Sequence, residues 1–180
     1  LQKAVNDARA MGDTLRKLGF EVMVAENQTR QGFAESLLAF DNTVEQGDTA
    51  FFFFAGHGFE IAGQNYLLPT DIPAATAGQE ELVRDSSILA DRVIERLQNR
   101  GARTAILVFD ACRNNPFSQL KEAGRGLAIV DAPNGSLVGY STAPGTDAFD
   151  GEGANSPYTT AFLRVAGEQN LPIERIFKQV

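Results

Sequence analysis

Residues 50–55 read Ala-Phe-Phe-Phe-Phe-Ala, apolar on both faces, and lead directly into Gly56-His57-Gly58. A half-solvated strand alternates apolar and polar residues. A run that is apolar at every position needs cover on both sides, as in an interior strand of a parallel sheet with helices above and below. Residues 104–109 repeat the pattern as Thr-Ala-Ile-Leu-Val-Phe and run into Asp110-Ala111-Cys112, and residues 137–141 supply a third such segment. Segments of this kind commit the chain to an α/β arrangement if helical sequences fall between them.

They do. Val5, Ala8, Met11, Leu15 and Leu18 recur at helical spacing, with Gly19 as a left-handed stop just beyond. Residues 20–25 read as a strand. Thr29 can cap a second helix bearing Phe33, Leu37, Phe40 and Val44, closed by Gly47. Residues 59–61 and 66–68 flank Ala62-Gly63-Gln64-Asn65 as a small hairpin, ended by Pro69 and followed by an irregular stretch to about Asp85. Ser86 or Ser87 starts a third helix through Leu89, Val93, Ile94 and Leu97. A polar, Gly-containing stretch fills residues 113–135. Asn155-Ser156-Pro157 is a helix start with Pro at the first helical position. The expected fold is a three-layer α/β/α sandwich with a mainly parallel sheet, and 180 residues at 43% hydrophobic composition suffice for one domain with one core.

Charge narrows the partners. With 16 basic against 23 acidic residues the net charge is −7, which disfavours nucleic acid and anionic membrane surfaces. No apolar run approaches the roughly 18–20 residues of a membrane span. A single cysteine cannot form an internal disulfide and leaves the compartment open. The sequence opens at Leu1 without a leader and stops in a helix-like segment, so domain 1–180 is expected to be truncated at both ends.

Reactive groups of α/β sheets gather beyond the C-terminal ends of the strands. The only histidine, His57, and the only cysteine, Cys112, each stand at such an end. A cysteine attacks a carbonyl as its thiolate, which an imidazole nearby promotes, and the same imidazole can protonate the departing amine. Gly58 would let a substrate carbonyl approach the backbone, so its amide and that of Cys112 could hold the oxyanion. Taken singly, a cysteine after an apolar strand is more often a buried small hydrophobe. A zinc site is disfavoured, since one His with one Cys falls short of the three or four ligands needed.

Residues 51–58, Phe-Phe-Phe-Phe-Ala-Gly-His-Gly, together with residues 108–114, Val-Phe-Asp-Ala-Cys-Arg-Asn, resemble the large-subunit core of caspases and metacaspases. An Ala-Cys motif with its His about 50 residues upstream is the known caspase pattern. Residues 66–71, Tyr-Leu-Leu-Pro-Thr-Asp, resemble bacterial members of that family, and the similarity runs from about Asp7 to Phe177. The resemblance implies a caspase-like fold and a cysteine endopeptidase. Cys112 would be the nucleophile, His57 the general acid and base, and the amides of Gly58 and Cys112 the oxyanion donors, with proteins or peptides as substrates.

Caspases proper carry Gln before the Ala-Cys pair and an Arg after a Tyr-Ser-Thr-x-Pro-Gly segment. Here Tyr140-Ser141-Thr142-Ala143-Pro144-Gly145 is similar, but the Arg position is Asp150 and the Gln position is Asp110, as in metacaspases. With Ser141, these make the substrate-binding candidates, and two carboxylates would select Arg or Lys and repel Asp. Asp110 also reads as a strand-end capping carboxylate, and Asp150-Gly151 as an ordinary turn. Lys121 and Arg125 are candidate self-cleavage points in the stretch after Cys112. The resemblance implies no resident cofactor, leaves calcium activation open, and leaves the oligomeric state open.

The family's sheet also begins with a strand that precedes the first helix and lies mid-sheet. That strand is missing from this sequence, which would leave two rows of backbone groups unpaired unless another segment fills the gap. Two other functional classes remain: a catalytically silent caspase-fold interaction module, and a thiol redox sensor that uses Cys112 without His57.

Overall fold

A computed structural model describes residues 2–112, 127–128, 132–141, 153–166, 175–176 and 178. Helix α1 (Gln2–Lys17) carries Arg16 and Lys17 in its last turn, where they complement the negative end of the helix, and Gly19 leaves it at φ +91°. Helix α2 (Arg30–Thr43) starts as its sequence indicates, with the Thr29 hydroxyl accepting the Gly32 amide at 3.1 Å.

Strand β1 (Thr49–Ile61) continues without interruption through Gly56-His57-Gly58 into the hairpin. The turn is Ala62-Gly63 alone, both at positive φ, so β2 (Gln64–Leu67) begins two residues earlier than expected. The stretch expected to be irregular contains a short helix, α3 (Glu80–Ser86). Helix α4 (Ala90–Asn99) starts later than Ser86 or Ser87, because Ile88–Leu89 first extend as β3 and bond to Leu67 and Tyr66. The remaining elements are β4 (Thr104–Cys112), β5 (Ser136–Tyr140) and α5 (Pro157–Ala166).

The sheet order is β3-β2-β1-β4-β5. Strands β1, β4 and β5 run parallel, while β2 and β3 add antiparallel. The sheet is thus mixed, with its two long ladders parallel. The Phe run divides by alternation. Phe51 and Phe53 pack beneath Met11 and Leu15 of α1 and Phe162 and Val165 of α5, and Phe52 and Phe54 pack with Phe33 and Leu37 of α2 and Val93 and Leu97 of α4. Helices therefore cover both faces, which is why the run needs no polar residue.

Residues 20–26 are the exception. They are extended and alternate in exposure, with Val22 and Val24 turned against Gly12 of α1. They join no ladder, so the strand expected at 20–25 does not form. Its beginning lies near that of β1, with the Phe20 and Phe51 rings 6.2 Å apart. Its far end is tied in by the Thr70 amide on the Gln28 carbonyl at 2.8 Å. Between this segment and β1 lies a groove of about 880 Å³ lined mainly by apolar side chains. Phe51, Phe52, Phe53 and Phe54 of β1 are consequently only half-buried. Without a neighbour inside hydrogen-bonding distance, an extended segment cannot become a strand.

No helix among the described residues is long and apolar enough to cross a membrane. The core is centred on Phe109, which is 1% exposed between Phe52 and Tyr140. Phe109→Ala is expected to lower unfolding stability in urea by roughly 3–5 kcal/mol. Leu38→Ala, on the exposed side of α2, is expected to change it by no more than about 0.5 kcal/mol.

Candidate active site

The parallel ladder between β1 and β4 runs in unbroken register from Thr49 opposite Thr104 to His57 opposite Cys112. The backbones of the single histidine and the single cysteine are therefore neighbours at the C-terminal edge, about one strand spacing, or roughly 4.8 Å, apart. The His57 carbonyl accepts the Leu68 amide at 2.9 Å, which anchors the strand where β2 leaves it. Both flanking glycines sit in tight packing. A methyl on Gly56 would lie 2.8 Å from Cζ of Phe54, and one on Gly58 would meet Leu127 Cδ2 at 3.1 Å and the Ala111 Cβ at 3.3 Å. The core side of Gly58 is thus filled by protein, a second reason for glycine besides substrate approach.

Strand β5 ends at the same edge. Its last pairing sets Tyr140 opposite Phe109, and the Ser141 amide continues it with a bond to the Phe109 carbonyl at 3.0 Å. Ser141, Asp110, Cys112 and His57 accordingly stand along one rim of the sheet. Asp150 and the candidate cleavage points Lys121 and Arg125 lie outside the described residues.

Asp110 is buried, at 5% exposure, and engages the start of α5. Its Oδ2 accepts the hydroxyls of Ser156 and of Thr159, the latter at 2.8 Å. Ser156 in turn caps α5, its hydroxyl accepting the Thr159 amide at 2.9 Å. A carboxylate at the positive end of a helix is favourably placed.

A second carboxylate, missed in the sequence, shares this helix end. Asp7 is 3% exposed, and its Oδ1 accepts the Asn155 side-chain amide and the Ser156 backbone amide, each at 2.9 Å. Burial pushes its pKa above the ordinary 3.8; the two hydrogen bonds oppose this, and the charge of Asp110 adds to it. Asp7 sits four residues before Met11 and eight before Leu15, on the buried stripe of α1. An acidic residue in line with an apolar helix face was the available signal. Its partners, nearly 150 residues away, were not legible.

The charge of Lys3 acts the other way on Asp7 and lowers its pKa. The Tyr158 hydroxyl is buried close by with no hydrogen-bond partner among the described residues, and burial together with Asp110 raises its pKa. The described residues hold no cluster of three His, Cys, Asp or Glu suited to a metal ion.

The family model for the caspase domain (peptidase C14) matches residues 1–180. The chain belongs to the caspase-domain family of cysteine peptidases. Among curated proteins this caspase domain is similar to the human mucosa-associated lymphoid tissue lymphoma translocation protein 1. Identity is 23% over 158 residues, covering 83% of this chain and 17% of the relative. The mouse homologue is 21% identical over 154 residues, with the same coverage. The chain thus spans about a sixth of the length of the curated relatives it matches.

Because native Asp7 keeps its proton to higher pH than an unfolded Asp, the native domain binds more protons in the window starting near 3.8. Stability contributed by this group therefore falls as pH rises through that window. Asn at position 7 keeps the acceptor oxygen without the charge. Thermal unfolding of Asp7→Asn is expected to match or exceed the unsubstituted domain at pH 7, with the difference narrowing toward pH 4. A variant less stable at pH 7 would assign Asp7 a purely structural role.

Proposed function

We propose that this caspase domain is a cysteine endopeptidase acting through Cys112 and His57, with preference for Arg or Lys on the acyl side of the cleaved bond. The observation that carries the reading is the backbone register setting the only His beside the only Cys on the sheet's C-terminal rim. Proteins or peptides are the substrate class that the family match supports.

In the proposed reaction the Cys112 thiol gives its proton to the His57 imidazole, and the thiolate sulfur adds to the substrate carbonyl carbon. The tetrahedral oxyanion is held by the amides of Gly58 and Cys112. Collapse breaks the C–N bond, the imidazolium delivers its proton to the amine, and a thioester remains on Cys112. Water, deprotonated by His57, then releases the acid and restores the thiol. Proton and bond counts close without a cofactor, and assays with and without a chelator check for a calcium requirement.

The preference for Arg or Lys rests on Asp110 and Asp7. Two buried carboxylates meet at one helix end; burial chiefly raises the pKa of Asp7, the charge of Asp110 adds to that, and Lys3 partly offsets it. A guanidinium or ammonium would relieve that repulsion, whereas a substrate Asp would add a third negative charge. Ser141 on the adjacent strand end, and Asp150 if it reaches the same place, would complete the pocket.

Matched fluorogenic peptides ending in Arg, Lys or Asp test both parts. Cleavage after Arg or Lys is expected. Cys112→Ala should lower kcat/KM about 1,000-fold or more, and His57→Ala by roughly 100- to 10,000-fold. Asp7→Asn and Asp110→Asn are each expected to weaken turnover of the Arg peptide by about 10-fold or more, chiefly through KM. Faster turnover after Asp would overturn the pocket. No Cys112-dependent hydrolysis would overturn the peptidase and leave the silent interaction module.

A further inference from the structure

Asn65 is the most deeply buried polar side chain of the hairpin, at 0% exposure, and neither of its amide groups serves the hairpin. Its Nδ2 donates to the Ala128 carbonyl at 2.8 Å, and its Oδ1 accepts the Ala128 amide at 2.6 Å. One side chain thereby makes both hydrogen bonds that a neighbouring strand would make to Ala128, across 63 residues of sequence. Buried amides are costly to leave unpaired, so the two bonds hold together or fail together.

The consequence appears one residue earlier. Leu127 is 4% exposed and belongs to the core cluster that contains Leu67, Phe109 and Ala111. Its Cδ2 occupies the space that a side chain on Gly58 would need, and the Ala111 Cβ lies on the same side. Gly58 follows His57, and Ala111 precedes Cys112. Leu127 therefore packs beneath Gly58 of β1 and Ala111 of β4, and the only side-chain clamp described on its segment is Asn65, seated on the strand that pairs with Gly58.

We propose that Asn65 is a positioning residue: by clamping Ala128 it wedges Leu127 under Gly58 of β1 and Ala111 of β4, and so fixes the spacing of His57, Gly58 and Cys112. The wedge acts on alignment of the reacting groups and touches no substrate. Loosening it lowers the rate of the chemical step and spares substrate affinity, since misplacement of about 1 Å can cost on the order of 100-fold. This rests on the reading of Cys112 as the nucleophile.

The test compares the unsubstituted domain with Asn65→Ala and Asn65→Asp, measuring kcat, KM, Cys112 alkylation by iodoacetamide, and exchange of the Ala128 amide hydrogen. For Asn65→Ala, kcat is expected to fall about 10-fold or more with KM within about twofold, and Ala128 to lose protection. A normal kcat with Ala128 unprotected would overturn the proposal. If Asn65→Ala does not fold, Asn65→Asp decides. Its neutral acid can both donate and accept, so Ala128 protection and Cys112 reactivity should recover together as pH falls through the carboxyl titration, after correction for the intrinsic pH dependence of both reactions. Recovery of protection alone would overturn the proposal.

Should the unsubstituted domain lack Cys112-dependent hydrolysis, the peptidase reading fails on that result. Alkylation then judges the clamp by itself: slower in Asn65→Ala supports it, and an unchanged rate refutes it.

Discussion

The β1–β4 ladder is the constraint from which the rest follows. Nine consecutive register pairs run from Thr49 opposite Thr104 to His57 opposite Cys112, where the parallel pairing and β4 stop while β1 continues to Ile61, so His57 lies within its strand and not at the end expected from the sequence. Side chains in a sheet alternate between faces, so a slip of one residue would reverse every Phe of β1 between its two helical layers. Phe51 and Phe53 have their neighbours on α1 and α5, and Phe52 and Phe54 have theirs on α2 and α4. Core packing and the placement of His57 beside Cys112 are therefore set by the same register.

A second layer of organisation lies at the start of α5. The helix needs acceptors for its first amides, and Ser156 supplies one while donating its hydroxyl to Asp110. Asp7 accepts the Ser156 backbone amide from the other side. Two acids are thus brought from α1 and β4 to one helix end, where the helix field favours their charge and their mutual repulsion opposes it. The structural role of the two carboxylates is to seat α5, and the proposed preference for a cationic substrate side chain draws on the same pair.

Much of this was legible in the sequence because it depended on local pattern. The apolar-on-both-faces runs identified β1 and β4, Thr29 and Gly19 marked helix ends, and the single His and single Cys were expected close together, which the β1–β4 register bears out for their backbones. What was not legible depended on partners far along the chain. Residues 20–26 have strand composition but no strand paired to them among the described residues, and composition does not carry that information. Asp7 looked like an ordinary helix residue until Asn155 and Ser156 were beside it. Asn65 read as part of a turn, whereas the turn is Ala62-Gly63 and Asn65 reaches Ala128. Ile88 and Leu89 fit a helix by periodicity and were drawn instead into pairing with β2.

The central claim is that His57 and Cys112 act as one chemical unit. The rate of Cys112 alkylation by iodoacetamide, followed against pH with His57 intact and in His57→Ala, addresses it most directly. An imidazole coupled to the thiol should move the thiolate titration below the ordinary value of about 8.5, with return toward that value in His57→Ala. Superimposable profiles for the two proteins would contradict the pairing.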